Sequence, residues 1–317
     1  MDPPHGGFEI VVADGRSDDG TRPRVESVAR DYPDRVRLID NDAGIVSTGL
    51  NAAIKASRGQ LIVRMDAHTW YARDYLVQCL RVHRETGADN VGGPWVAQGR
   101  GRIGRAVALS FASPLSTGGG AAHAASYEGP VDTVYLGAWD RAIFERIGAF
   151  DEELVRNQDD ELNLRIVRAG GVVWQSPAIR SEYQCRSNLG DLIRQFYQYG
   201  YWKVRVIQKH RLPASVRHLV PATALLGVIA AAVLAPVSAA AAAALGAAVV
   251  IYSLAVGAGT VGCAGIANWS LWPAVAVTFP CYHFGYAVGF LHGLVDFVWL
   301  NRAPRRCAVT LSRTSLN

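Results

Sequence analysis

The sequence predicts an α/β protein, a doubly wound and mostly parallel sheet, followed by an α-helical membrane segment. Three observations carry that prediction. Short β-branched apolar runs alternate with helix-length amphipathic stretches through about residue 217. The runs end in turns rich in Asp and Gly, as strands of parallel sheets do at their carboxyl ends. From residue 219 to 300 acidic and basic side chains almost vanish, Asp296 excepted.

The first run, Phe8, Ile10, Val11 and Val12, is short and apolar, as in a strand covered on both faces. It ends in IVVADGRSDDGT, where Asp14 and Asp19 stand beyond the strand, at the place where open α/β sheets bind nucleotides. Asp, Gly and Ser are also ordinary turn formers. Residues 22–32 then suit a helix, 36–39 a strand, and 48–57 a helix stopped by Gly59. A third strand follows at 61–65, a helix at 75–86 and a strand at 91–96. Between 100 and 127 small residues dominate. The piece STGGGAAHAAS at its centre lacks the Lys and the strand-to-helix setting of a phosphate loop, and reads as a mobile loop.

The sharpest chemical signal is LIVRMDAHTWY. Residues two apart on an extended chain point the same way, so Asp66 and His68 face one spot at a strand's carboxyl end. One carboxylate, one imidazole and diphosphate oxygens suit Mn²⁺ or Mg²⁺ holding a nucleotide; a strand-end turn with a surface His fits the same letters. Downstream, GAFDEELVRNQDDELNLRIVRAGG places Gln158, Asp159, Asp160 and Glu161 at the start of a helix whose apolar stripe is Leu162, Ile166 and Val167 and whose stop is Gly170 with Gly171. Acidic residues there are ordinary helix-dipole partners, but three carboxylates exceed what one cap needs.

Composition divides the chain into a charged domain (1–217), an apolar segment (218–300) and a basic tail (301–317). Residues 219–235 and 237–258 each approach the ~20 apolar residues that cross a bilayer, with a hairpin turn at Pro236. Residues 272–300 hold Pro273, Pro280, His283, His292 and Asp296, and suit a span, a re-entrant piece or an interfacial helix. Arg205, Lys209, Arg211 and Arg217 precede the first span, while Arg302, Arg305, Arg306 and Arg313 follow the last. The positive-inside rule wants both clusters cytoplasmic, which favours an even number of crossings: two spans and an interfacial third segment, with three spans as the alternative. The net charge of +5 gathers beside the apolar block, so anionic lipid rather than nucleic acid is the partner it suits. Five scattered cysteines show neither zinc spacing nor a disulfide framework, and the first residues lack a signal peptide's basic start and apolar core.

Taken together, VADGRSDDGT, GLNAAIKASRGQLIVRMDAH, NVGGP, VDTVYLGAWDRAIFERIGAFDEEL, NQDDELNLR and RQFYQYGYWK resemble the inverting family 2 glycosyltransferases of GT-A fold, and within them the ExoA-like succinoglycan-biosynthesis enzymes. The likeness runs from residue 8 to about 221. It implies that Asp14, Asp19 and Asp66 contact the nucleotide-sugar donor, that Asp66 and His68 occupy the place of the Asp-x-Asp metal motif, and that Asp159 is the catalytic base. His68 stands where a second Asp is usual, and Gln158 where Glu is commoner. Gly137, Gln195, Gln198 and Trp202 fall in the acceptor or product region. The Gln-x-x-Arg-Trp element of processive members is only partly kept, which disfavours a polymerase. The resemblance further implies a divalent metal, a lipid-linked saccharide acceptor and a cytoplasmic-membrane location with the catalytic domain facing the cytoplasm. Family members begin with a further strand and helix ahead of VADG; that first unit is missing here, and an upstream start is expected. A non-catalytic membrane-bound binding module is the alternative. A transporter is disfavoured by so few spans and one acidic residue among them.

Overall fold

The computed structural model describes residues 1–119, 124–213 and 215–310. Strands and helices alternate in the order β1 (Ile10–Asp14), α1 (Thr21–Asp31), β2 (Val36–Asp40), α2 (Val46–Ala56), β3 (Leu61–Val63), β4 (Thr69–Tyr71), α3 (Tyr75–Thr86), β5 (Asn90–Gly93), β6 (Val96–Gln98), α4 (Gly101–Phe111), α5 (Pro114–Thr117), β7 (Gly129–Pro130), β8 (Tyr135–Asp140), α6 (Arg141–Ile147), α7 (Gln158–Arg168), β9 (Val173–Gln175) and β10 (Ser181–Gln184). The remainder is helical: α8 (Leu189–His210), α9 (Val220–Leu234), α10 (Ala239–Ala264), α11 (Trp272–Gly293) and α12 (Arg306–Val309). Two compact units divide the chain, Met1–Trp95 with Ala124–Ser181, and Val96–His123 with Glu182–Asn317. The compositional boundary near residue 217 lies inside the second.

In the first unit β1 and β2 form a parallel pair, Ile10 opposite Val36 through Asp14 opposite Asp40. A separate five-stranded sheet has the order β3-β8-β5-β9-β7. The α/β class is the one expected, but the main sheet is mixed and not mostly parallel: β5 and β9 are parallel, while β8 runs antiparallel to both β3 and β5, and β7 to β9. The reason lies in the connection. β8 follows β7 without a helix between them, so no right-handed helical crossover obliges it to run parallel. The start of β1 is tied to the loop before β3 by Glu9, which accepts from the Gly59 N–H at 3.1 Å and from the Arg58 N–H, and pairs with Arg37 at 2.8 Å.

Side-chain alternation on β8 sorts the core into two layers. Ala138 joins Tyr75, Leu76, Cys79 and Val82 of α3 with Val91 and Ile179. Trp139, its neighbour, faces Ile143, Phe144, Phe150, Leu162 and Ile166 on the other side. Leu162 and Ile166 are fully buried, worth about 1.5–3 kcal/mol each. Val167, counted in the same stripe from sequence, is instead solvent-exposed: the buried face of α7 is Gln158, Glu161, Leu162, Asn163 and Ile166. Asn90 of β5 donates to Asn163 of α7 at 2.8 Å, and Asn163 donates to Thr133 at 3.0 Å, so the helix that carries Asp159 is fixed to the sheet by buried polar bonds.

In the second unit β6 and β10 pair in parallel. Residues 101–111, read from sequence as part of a small-residue stretch, form α4. Its buried face is Gly104, Ala106, Val107, Ser110 and Phe111, a helical period hidden by the smallness of its residues. The Gly-rich piece itself lies partly outside the described residues. Tyr282 of α11 donates to the Val107 carbonyl at 3.2 Å and shares a bond with the Ser110 hydroxyl at 2.9 Å. The first apolar segment forms only the 15-residue α9. Among the described residues, two helical runs are long and apolar enough to cross a bilayer, the 26-residue Ala239–Ala264 and the 34-residue Ile266–Trp299, the latter a helix continued at each end by shorter helical turns. At 1.5 Å per residue α10 is about 39 Å long, against ~30 Å of hydrocarbon.

Two features explain the odd residues of the third apolar segment. Asp296 is fully buried but accepts from Tyr201 at 2.9 Å, Arg302 at 2.8 Å and Arg305 at 2.6 Å, so the tail's own cations neutralise it. Gly285, Gly289 and Gly293, four residues apart, line the face of α11 that meets α8. Arg313 and the rest of 311–317 lie outside the described residues.

Candidate active site

β3 is apolar until Arg64, whose backbone N–H extends the sheet by donating to Gly137 of β8 at 3.0 Å. Gly137 has φ 131°, and a Cβ there would come within 2.7 Å of Asn90 Oδ1 and 2.5 Å of the Trp139 ring. A glycine is therefore required where β8 receives Arg64. The strand then turns, and Tyr71 from β4 closes the turn: its hydroxyl accepts from the Asp66 N–H at 2.6 Å and donates to the Asp66 carbonyl at 3.1 Å. Asp66 is held by its own backbone before its side chain does anything.

That side chain meets Arg64. Arg64 Nε donates to Asp66 Oδ1 at 2.8 Å and Nη2 to Oδ2 at 3.0 Å, a two-pronged grip. The third prong, Nη1, donates to Asp159 Oδ1, 95 residues away in sequence. Asp159 sits in the first turn of α7, behind Asn157 with φ 63°. Its side chain is 31% exposed, against 6% for Arg64, so the carboxylate has an open side. Glu161 next to it is spent on structure, in a two-pronged ion pair with Arg165, which also donates to the carbonyls of residues 147–149.

The electrostatics separate the two acids. Burial is the largest single influence on the Asp66 carboxyl and pushes it up, but the charge and hydrogen bonds of Arg64, with His68 and Arg156, together outweigh it, and the net is a lowered pKa. For Asp159 burial prevails over Arg64, and the negative charges of Asp66 and Asp160 act with it, so its carboxyl is pushed up to about 6. One acid stays charged while the other is poised to exchange a proton near neutrality, as acid–base chemistry requires.

Asp14 ends β1 and Asp19 lies in the loop between β1 and α1; the β1–β2 pair forms a sheet of its own, separate from the one that β3, ahead of Asp66, joins. Asp14 is buried, accepts from Ser17 N–H at 3.2 Å and pairs with Arg22 at 3.3 Å; burial raises its carboxyl, but these partners win and lower it. Asp19 accepts from the Thr21 N–H at 3.1 Å, at the start of α1. The acceptor-side candidates of the second unit are buried: Gln195 donates to Tyr183 at 3.1 Å and Tyr199 at 2.9 Å, Gln198 to the carbonyls of Cys307 and Thr310, and Trp202 to Ala308 at 2.9 Å. Sequence reasoning missed Arg64 and Tyr71. Arg64 left a signal, a lone charge inside an apolar strand, which a buried partner has to explain. Tyr71 left none.

Residues 2–147 match the family model for glycosyl transferase family 2. The succinoglycan biosynthesis protein ExoA of Rhizobium meliloti (strain 1021) is 28% identical over 297 residues, covering 91% of this chain and 86% of that one. A dolichyl N-acetyl-alpha-D-glucosaminyl phosphate 3-beta-D-2,3-diacetamido-2,3-dideoxy-beta-D-glucuronosyltransferase of Methanococcus voltae is 26% identical over 217 residues, 66% of this chain and 67% of that one. Among solved structures, S. aureus TarS 1-349 aligns with a TM-score of 0.48 at 15% identity, over 92% of this chain and 83% of that one. The family match takes in Asp66 and the likeness to ExoA spans nine-tenths of the sequence, and together they support a family 2 glycosyltransferase of the ExoA-like kind as what this chain resembles.

Proposed function

We propose that the protein is a membrane-anchored inverting transferase that moves a sugar, glucose from UDP-glucose, onto a lipid-linked saccharide at the cytoplasmic face, in exopolysaccharide assembly. The observation that carries this reading is the convergence of Asp66 and Asp159 on one guanidinium. The ExoA likeness supports the polymer, and the two long apolar helices, the second followed by Arg302, Arg305 and Arg306, support the membrane.

In this reading Asp159 removes the proton of an acceptor hydroxyl as its oxygen bonds to the anomeric carbon from the face opposite the leaving group. The bond from that carbon to the diphosphate breaks, and its electron pair leaves on the nucleoside diphosphate. Asp66 and His68, one carboxylate and one imidazole, are a donor set that Mn²⁺ or Mg²⁺ accepts when diphosphate oxygens complete the shell. Bound there, the ion would offset the charge of the departing diphosphate. The fit has one condition. Among the described residues no three His, Cys, Asp or Glu side chains converge on an ion, and both Asp66 oxygens carry Arg64. Asp14 and Asp19 would hold the nucleoside. Gly137 would act by shaping β8, Gln195 by ordering Tyr183 and Tyr199, and Gln198 and Trp202 by ordering residues 307–310 on the acceptor side.

The test uses membranes carrying the full chain, a panel of labelled nucleotide sugars headed by UDP-glucose, Mn²⁺ or Mg²⁺, and bacterial lipid extract. Transfer of label into the lipid phase is the expected result. Donor binding with no transfer from any sugar would replace this reading with the membrane-bound binding module, which the separation of the Asp14 strand pair from the Asp66 sheet favours. In the same assay Tyr71→Phe is expected to lose roughly tenfold in transfer, about the worth of a lost buried hydrogen bond, through a raised donor KM. An unchanged KM would mean that Tyr71 does not position Asp66.

A further inference from the structure

Arg64 touches both proposed functional carboxylates, and its geometry says more than structural pairing. Its backbone is fixed by the sheet through Gly137, and its side chain is 6% exposed. All three nitrogens are aimed at the two acids: Nε and Nη2 at Asp66, Nη1 at Asp159. A guanidinium can do this because its planar fork presents separate donors on two sides, where an ammonium is a single point charge. The grip on Asp66 takes both oxygens, the atoms a cation would use. The grip on Asp159 takes only one and leaves the other for an acceptor proton.

We propose that Arg64 is a positioning residue that cross-links the two carboxylates in the resting site, and that a divalent cation brought to Asp66 must compete with it there. When Asp66 turns to the cation, Arg64 keeps Asp159 and holds the base in line. This rests on the roles given above to Asp66 and Asp159. It makes Arg64 opposed in effect on two quantities: it weakens cation binding and it strengthens turnover. A residue that merely supports the fold would weaken both when lost.

The experiment measures Mn²⁺ uptake by electron paramagnetic resonance, with and without UDP, on the purified full chain and its Arg64→Gln and Arg64→Lys variants, alongside steady-state transfer at saturating Mn²⁺. Arg64→Gln is expected to bind Mn²⁺ roughly tenfold tighter, the worth of one charge-assisted hydrogen bond. Its kcat is expected to fall at least about tenfold as Asp159 loses its partner, while donor KM holds. Arg64→Lys should lie between parent and Arg64→Gln on both measures. The proposal is overturned if Arg64→Gln binds Mn²⁺ no more tightly than the parent, if neither takes up the ion, or if kcat at saturating Mn²⁺ is unchanged. Should Arg64→Gln yield no folded protein, Arg64→Lys is judged by the same criteria. If the parent transfers sugar and Asp159→Asn does not, a failed Arg64 result leaves the function standing. A parent that transfers nothing removes the function reading, and the Mn²⁺ comparison alone then judges Arg64.

Discussion

Asp159→Asn is expected to reduce sugar transfer by about a hundred- to ten-thousand-fold, the usual worth of a general base, without harming the fold. Asn keeps the shape and an oxygen that can still accept from Arg64, so what is lost is the proton acceptor. The stability side has a definite sign. The Asp159 carboxyl is pushed up to about 6 from 3.8, so its contribution to stability is fully present below the unfolded value and is lost as pH rises through the folded one. Above pH 6 the native protein carries a charge it disfavours, and Asn removes it. The melting temperature of Asp159→Asn at pH 7.5 should therefore equal or exceed the parent's, while activity collapses. The parent's kcat/KM should fall as pH drops through about 6, as the base takes up its proton. Parent-level transfer by Asp159→Asn, or activity flat from pH 5 to 8, would remove Asp159 from the base's role.

How much of this was legible before the structure depends on whether the signal was local. Helix α3 falls at residues 75–86 as periodicity alone places it, because its apolar stripe is four buried residues at helical spacing. The Asp66 turn was legible because a strand of Leu, Ile and Val ends abruptly in polar residues. What was not legible is non-local. No spacing rule joins Arg64 to Asp159 across 95 residues, and β8's reversal depends on a connection rather than on any pattern within the strand. The small residues of α4 hid a helix, since alanine and glycine bury a face without announcing it by hydropathy. The roles implied for Gln198 and Trp202 came from the resemblance to the Gln-x-x-Arg-Trp element; that their donors meet the carbonyls of residues 307–310 is a non-local fact no spacing shows.

Gly289→Val is expected to have the largest effect on stability, because the α8–α11 contact has no room for a side chain. A Cβ at Gly289 would lie 2.0 Å from the Tyr197 carbonyl oxygen, and one at Gly200, on the opposing helix, 2.0 Å from that of Tyr286. Gly293 and Gly285 approach Tyr201 and Ile193 at 2.6 and 2.9 Å. The atoms met are backbone, so no rotamer change relieves them and the helices must separate. Separation would break the Tyr197–His292 bond at 3.0 Å, the Tyr201–Asp296 bond at 2.9 Å and the Phe196–Tyr282 ring contact at 4.5 Å, which all span this same face. Overpacking a core usually costs about 1–3 kcal/mol, and a clash with two helix backbones belongs at or above the upper end. Gly246→Val in α10 is the matched control, since nothing lies within 4 Å of a Cβ there, and a change within about 0.5 kcal/mol is expected. Melting of the detergent-solubilised variants reads the difference, and limited proteolysis reads its consequence. Because Gln198 and Trp202 of α8 hold residues 307–310, a displaced α8 should release that segment to protease in Gly289→Val and leave it protected in Gly246→Val. Equal melting temperatures for the two variants would mean that the helices part without cost, and that the glycine face is not what joins them.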